Sequence, residues 1–167
     1  KYAEAEPLFQ QALKNFEKAL GPNDPSWTQP LGGLANLYFN QGKFPEAESL
    51  LQRVLKIHEK ALGRNHSEVA KSLDNLAALY ILEKRYDQAE PLNQRALKIF
   101  EQAFGPNHID VATSLENLAG LYCKQKKISE ADPLNQRALK IWEKILGPDH
   151  PDYAISLLNL ANVFDEE

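Results

Sequence analysis

Residues 85–126 read RYDQAEPLNQRALKIFEQAFGPNHIDVATSLENLAGLYCKQK, and residues 127–167 follow with KISEADPLNQRALKIWEKILGPDHPDYAISLLNLANVFDEE. The two segments align without a gap and agree at half of their shared positions. A fixed internal period is the mark of a repeat architecture, so it is read before any secondary structure. Carrying the same frame toward the N-terminus brings 43–84 and 1–42 into register, and ten columns are then identical in all four copies. They are the columns of Ala5, Leu8, Gln10, Leu13, Lys14, Glu17, Gly21, Leu31, Leu34 and Ala35.

Within one unit, Ala5, Leu8, Ala12, Leu13, Phe16 and Leu20 recur at steps of three and four, which lays one apolar stripe along a helix. The spacing predicts helices over 2–20, 44–62, 86–104 and 128–146. Gly21 and its copies end them as left-handed stops, and Pro22-Asn23-Asp24-Pro25 turns the chain. Leu31, Leu34, Ala35 and Tyr38 repeat the stripe on a shorter helix, predicted over 27–41, 69–83 and 111–125 and from about 152. Gln41-Gly42 breaks the first of these, and Lys84 and Lys126 stand where Gly42 does, so that turn survives without glycine. No strand signal appears. Short connections make consecutive helices antiparallel neighbours, and a constant repeat stacks each pair on the last with the same rotation. The expected fold class is all-α, an α-solenoid, with 1–167 forming one array of units 1–42, 43–84, 85–126 and 127–167.

Composition narrows the function. The chain has 167 residues, 43% hydrophobic and 25% charged, and carries a net charge of −4. Its longest apolar run, Leu76 to Leu82, is too short to span a membrane. The net negative charge is the wrong sign for a phosphate-tracking surface, which argues against nucleic acid. The single Cys123 has no internal disulfide partner, and the chain opens without a charged-then-apolar leader, so a cytoplasmic setting is the expectation. The absence of Met and the start at Lys1 suggest a piece of a longer protein.

Leu118-Ala119 with Tyr122 on a short helix and Ala131 early on the next, repeated in every unit, resembles the tetratricopeptide repeat. Gln-Gly-Lys-Phe-x-Glu-Ala-Glu at 41–48, Arg-Ala-Leu-Lys-Ile-x-Glu at 95–101 and Leu-Gly-Pro-Asp-His-Pro-Asp at 146–152 are similar to the kinesin light chain type. The match covers essentially the whole chain. It implies a right-handed superhelix of antiparallel helix pairs whose short helices line a concave groove. Such arrays also serve as interaction or sensing segments of bacterial multidomain proteins, so association with a motor stays an open alternative.

The resemblance also implies that the residue before each Leu-Ala pair points into the groove, often as an Asn that bonds a peptide backbone. Here these are Asn75, Asn117 and Asn159. Aligning the other inner positions adds Gln29, Asn36 and Asn40, then Lys71, Asp74 and Ala78, then Thr113, Glu116, Gly120 and Lys124, and finally Ile155, Leu158 and Asn162. An amide both donates and accepts, so a ladder of them can satisfy an extended peptide whatever its side chains are. The competing reading is that these Asn bond neighbouring helices. Gly32-Gly33 departs from the pattern, so the first unit lacks its Asn rung. The mixed signs of Lys71, Lys124, Asp74 and Glu116 give no ground for the acidic-peptide preference of kinesin light chains.

Other conspicuous residues take structural readings. Tyr38, Tyr80, Tyr122 and Phe164 continue the apolar stripe as core, and Phe in the last copy implies that the hydroxyl is dispensable there. Lys14 and Glu17, with their copies, are placed to pair on a solvated face. His66, His108 and His150 share the column of Asp24. Equivalent residues one unit apart are roughly 16–20 Å from each other at the usual helix spacing, too far to share a metal ion, so they order their loops. His58-Glu59 starts a zinc-protease motif that fails at Leu62. Cys123 is read as a semi-buried groove thiol. No nucleophile and base pair, no metal cluster and no cofactor motif can be assembled, so catalytic and metal-binding residues are none. The expected function is a non-catalytic scaffold with a protein or peptide, or a partner helix, in its groove. The alternative is a structural spacer or self-association element. Apolar stripes on the first and last helices, Leu8 and Leu13 at one end and Leu157 and Leu160 at the other, suggest head-to-tail self-association.

Overall fold

The computed structural model describes residues 2–20 and 24–165, without the side chains of residues 2, 3, 17, 20, 152 and 162–165. Among the described residues there are eight α-helices and no strand. They are α1 (Tyr2–Leu20), α2 (Thr28–Asn40), α3 (Phe44–Leu62), α4 (Ser67–Leu82), α5 (Tyr86–Phe104), α6 (Ile109–Lys124), α7 (Ile128–Leu146) and α8 (Pro151–Asp165). The long helices keep the bounds that the apolar period predicts. The short helices α4 and α6 begin two residues earlier than expected, because His66 and His108 act as caps. The Nδ1 of His66 accepts from the Glu68 backbone N–H at 3.2 Å, and that of His108 accepts from Asp110 at the same distance. In the first unit Asp24 does this work, its carboxylate accepting from the Ser26 N–H at 2.9 Å ahead of a 3-10 turn over Pro25–Trp27. That bond lowers the Asp24 pKa. The loop-ordering role expected of this column is thus a side-chain N-cap.

The glycine stops need a correction. The stop expected at Gly21 lies outside the described residues, but Gly63, Gly105 and Gly147 adopt φ 89, 81 and 82 with ψ 154, 168 and 167. This is not the left-handed helical region but the extended positive-φ region that belongs almost solely to glycine. Each backbone N–H still closes the helix by bonding four residues back, to Glu59, Glu101 and Glu143. The turn column behaves differently. Gly42, Lys84 and Lys126 have φ 73, 59 and 60, where a non-glycine residue is strained but admissible.

The helices form two compact units, residues 1–79 and 80–167. In the first, Trp27, Leu31, Val54 and Ile57 make a buried cluster against Leu13, Phe16 and Leu50. The Arg53 guanidinium covers the Trp27 ring at 4.4 Å. In the second, Val111, Ala112, Leu115, Leu118, Ala119 and Leu121 are buried on one face of α6, as the helix phase read from Leu118-Ala119 requires. Ala119 and Ala131 meet where α6 and α7 approach, with Tyr122, Cys123, Ile128 and Leu134 packed around them. Two alanines permit that close approach, and Cys123 is half-buried there, as expected of it.

The tyrosine column is not simple core. Tyr38 donates its hydroxyl to Glu6 at 3.0 Å, and Tyr122 donates to Glu90 at 3.3 Å. The invariant Gln joins them: Gln10 donates to Glu6, and Gln94 donates to both Glu90 and Tyr122. A cation just ahead of the next long helix completes each group, Lys43 at 4.0 Å from Glu6 and Lys127 at 3.2 Å from Glu90. In these two copies the hydroxyl ties a long helix to the short helix that follows. The glutamates of the Lys14/Glu17 columns also find other partners, Glu59 with Arg64 and Glu101 with Arg137.

Candidate functional site

In the first unit, α2, α3 and α4 enclose an open cleft of about 610 Å³. Each helix gives it one face. Thr28, Gln29, Gly32, Ala35, Asn36 and Phe39 come from α2, Leu51, Val54 and His58 from α3, and Glu68, Lys71, Ser72, Asn75 and Ala78 from α4. These are steps of three and four, so the pattern that builds the core on one side of each helix leaves a second stripe toward the cleft. The floor is mainly apolar and the rim is amide, with Gln29, Asn36 and Asn75 exposed on it.

Four residues expected in the groove, Gln29, Asn36, Lys71 and Asn75, are brought together here. Asn40 lies one turn beyond Asn36 and donates to its side-chain oxygen at 3.2 Å. Lys71 is bound to Glu68 at 2.7 Å, which also holds the Glu68 pKa below its ordinary value. Asn75 and Asn117 are exposed and make no side-chain hydrogen bond to another described residue, so the reading in which they brace neighbouring helices does not describe them. Asp74 and Glu116 are half-buried rather than open to the groove. In the second unit Thr113 is exposed and returns its hydroxyl to the Ile109 carbonyl, while Lys124 lies beside Cys123, Lys126 and Ile128 at a smaller depression. Asn159 is half-buried on α8, and the side chain of Asn162 lies outside the described residues.

The missing first rung has a physical cause. A Cβ built on Gly33 would collide with Cε1 and Cζ of Phe9, so the ring of Phe9 fills the space that an Asn would need. Along the repeat glycine stands only opposite Phe9, while Leu51, Asn93 and Asn135 accompany Asn75, Asn117 and Asn159.

The residues that the sequence reading missed are those of the floor. His58 stands in a column that elsewhere holds Phe16, Phe100 and Trp142, and it faces Ser72 across the α3/α4 contact at 2.8 Å. Ser72 donates its hydroxyl to the Glu68 carbonyl at 2.9 Å. With the hydroxyl proton committed to that carbonyl, its oxygen accepts from the His58 tautomer protonated on Nδ1, whose Nε2 is then an acceptor. Burial lowers the His58 pKa against the opposing pull of the Glu68 charge, which favours the neutral ring. In the second unit Ser114 and Ser156 occupy the Ser72 column, opposite the aromatic copies. Their buried hydroxyls have no hydrogen-bond partner among the described residues. The available signal was the departure of one copy from an aromatic column.

Among the described residues, no group of three or more His, Cys, Asp and Glu could hold a metal ion, and no helix is long and apolar enough to cross a membrane. Family models described as tetratricopeptide repeat match residues 26–102, 68–140 and 110–167, and another so described matches 1–26. The chain belongs to the tetratricopeptide repeat family. No curated protein matches it in sequence. Among solved structures, BtubC (BKLC) from P. vanneervenii is 27% identical with a TM-score of 0.87 over 99% of this chain. A kinesin light chain protein of Podosopora anserina with nearly identical TPR-like repeats is 27% identical with a TM-score of 0.83, again over 99%. This tetratricopeptide array is therefore of the kinesin light chain type. It spans 66% of the first protein and 78% of the second. The apo form of RapI, at 17% identity and a TM-score of 0.83, shares the fold.

Proposed function

We propose that this array is a non-catalytic scaffold that holds a peptide or partner helix against the exposed amides of its short helices. The observation that carries this reading is the cleft of the first unit. An apolar floor excludes water, and Gln29, Asn36 and Asn75 on its rim can donate to and accept from a ligand backbone. Family membership supports an interaction role of this kind, and so does the likeness to repeats of the kinesin light chain type. The test begins with partners captured from a lysate of the source cell, each then titrated as a purified ligand against Asn36→Ala/Asn75→Ala. Loss of two hydrogen bonds at ~0.5–1.5 kcal/mol each should weaken binding by about ten-fold while the melting temperature holds. Unchanged affinity would remove the groove from the reading. A second reading, self-association, is favoured by Ile155, Leu157 and Leu158, all exposed on α8, and by Leu8 on α1.

A further inference from the structure

We propose that the cleft of the first unit selects an extended, uncharged peptide segment that places a hydrogen-bond-donating side chain, Ser, Thr, Asn or Gln, on the Nε2 of His58. This rests on the groove reading above and names its specificity. Three observations point to it. First, the rim amides Gln29, Asn36 and Asn75 can be satisfied by an extended strand, whose N–H and C=O groups are open, but not by a helix, whose backbone groups are bonded within itself. Secondly, the ionised side chains lining the cleft, Lys71 and Glu68, are paired with each other at 2.7 Å, so the site presents no net charge to a ligand. A charged side chain would lose hydration there without a matching partner. Thirdly, the floor carries an acceptor. Ser72 donates to the Glu68 carbonyl and accepts from the His58 tautomer protonated on Nδ1, and Nε2 of that tautomer is an acceptor. Phe and Trp in the same column of other repeats offer no such acceptor, so this feature belongs to one cleft of the array.

The same geometry makes the subsite sensitive to pH. Protonation turns Nε2 from acceptor into donor and sets it against the donating ligand. The groups that face His58 are Glu68 and Lys71 on α4 and His66 in the loop before it. The α2 residues lining the cleft, Thr28, Gln29, Gly32, Ala35, Asn36 and Phe39, carry no charge, and Leu51 and Val54 on its own helix carry none.

The probe is a random dodecapeptide display library panned in parallel on the wild-type chain, on His58→Phe and on Asn36→Ala/Asn75→Ala. His58→Phe introduces the residue that two other repeats carry at this position, and circular dichroism checks that both variants fold. Enriched peptides are then made synthetically and titrated by fluorescence anisotropy. The expected result is near-neutral peptides sharing a Ser, Thr, Asn or Gln whose replacement by Ala weakens binding about five- to ten-fold on wild type and less than two-fold on His58→Phe. Binding to wild type should also fall between pH 7.5 and pH 5, and binding to His58→Phe should not. Peptides that are acidic, basic or helix-forming, yet lost on Asn36→Ala/Asn75→Ala, would overturn the specificity and leave the groove reading standing. An equal loss on wild type and His58→Phe would do the same. No enrichment on wild type, or enrichment indifferent to Asn36 and Asn75, would overturn both.

Discussion

Two columns of positive φ separate what glycine does in this repeat. At Gly63, Gly105 and Gly147 the ψ values near 160° put the backbone where a side chain is excluded by its own peptide units, although no neighbour stands within 4 Å of an added Cβ. At Lys84 and Lys126 the chain visits the region near φ 60, which costs a side-chain-bearing residue about 1–2 kcal/mol and no more. This is why one column is glycine in every copy and the other is not. Gly105→Ala should accordingly lose about 1–3 kcal/mol in urea unfolding. Lys126→Gly should gain about 0.5–1 kcal/mol once the greater freedom of the unfolded glycine is set against the strain relieved. Equal effects at the two positions would contradict the distinction. The histidine caps make a similar residue-level case. Only an unprotonated Nδ1 can accept from the Glu68 N–H, and Asp24 shows that a carboxylate serves in the same column. His66→Ala should cost about 1 kcal/mol, whereas His66→Asp should hold stability. Thermal melts of the two variants beside wild type check both.

Between elements, the group formed by Glu90, Gln94, Tyr122 and Lys127 joins three helices through one carboxylate. Burial by itself would raise the Glu90 pKa, but the hydrogen bonds from Lys127, Gln125 and Tyr122 outweigh it, and the carboxyl titrates below its ordinary value. A carboxyl depressed in the folded state contributes stability above its unfolded pKa and loses it as pH falls through the folded one. Glu90→Gln should therefore cost about 1 kcal/mol at pH 7, since the site is partly open to solvent, and the difference from wild type should vanish near pH 3. A difference that persists unchanged at pH 3 would mean that packing, not charge, holds the joint. At this scale the sequence was legible where the physics is local. The period of apolar residues set the long helices and placed Leu118 and Ala119 inside, because a three-four spacing has one geometric meaning. It failed for Tyr122, whose partner Glu90 stands 32 residues away. It failed also for His58, because a polar residue in an aromatic column reads as core until the facing helix is known. Of the residues expected in the groove, those on α2 and α4 could be aligned from the short-helix columns, while the floor from α3 could not. An inner face is defined by the neighbour it meets.

For the whole molecule, the question is what the exposed apolar side chains do in solution. Ile155, Leu157 and Leu158 leave much of one face of α8 open to water, with Leu158 64% exposed, and Leu8 on α1 is 67% exposed. Leu8 and Leu157 belong to invariant columns. Their copies Leu73 and Leu115 are fully buried, and Leu50 packs on the core of the first unit. A side chain that is core in one copy and surface in another is a surface with a known complement, namely the helix type that covers it elsewhere in the repeat. Burying a leucine removes about 1.5–3 kcal/mol of exposure cost, so three or four such side chains can outweigh part of the entropy of association without securing a tight complex. We propose weak head-to-tail self-association of this chain through α1 and α8, a heterologous contact because the two surfaces differ. Sedimentation equilibrium of the 167-residue chain should then give a mass that rises with concentration in the upper micromolar range. Leu157→Glu should return it to the monomer, while Asn75→Ala, on the cleft, should leave it unchanged. A constant monomer mass at every concentration, or a mass equally insensitive to Leu157→Glu, would leave those leucines as ordinary exposed surface, which a soluble protein can carry singly without consequence.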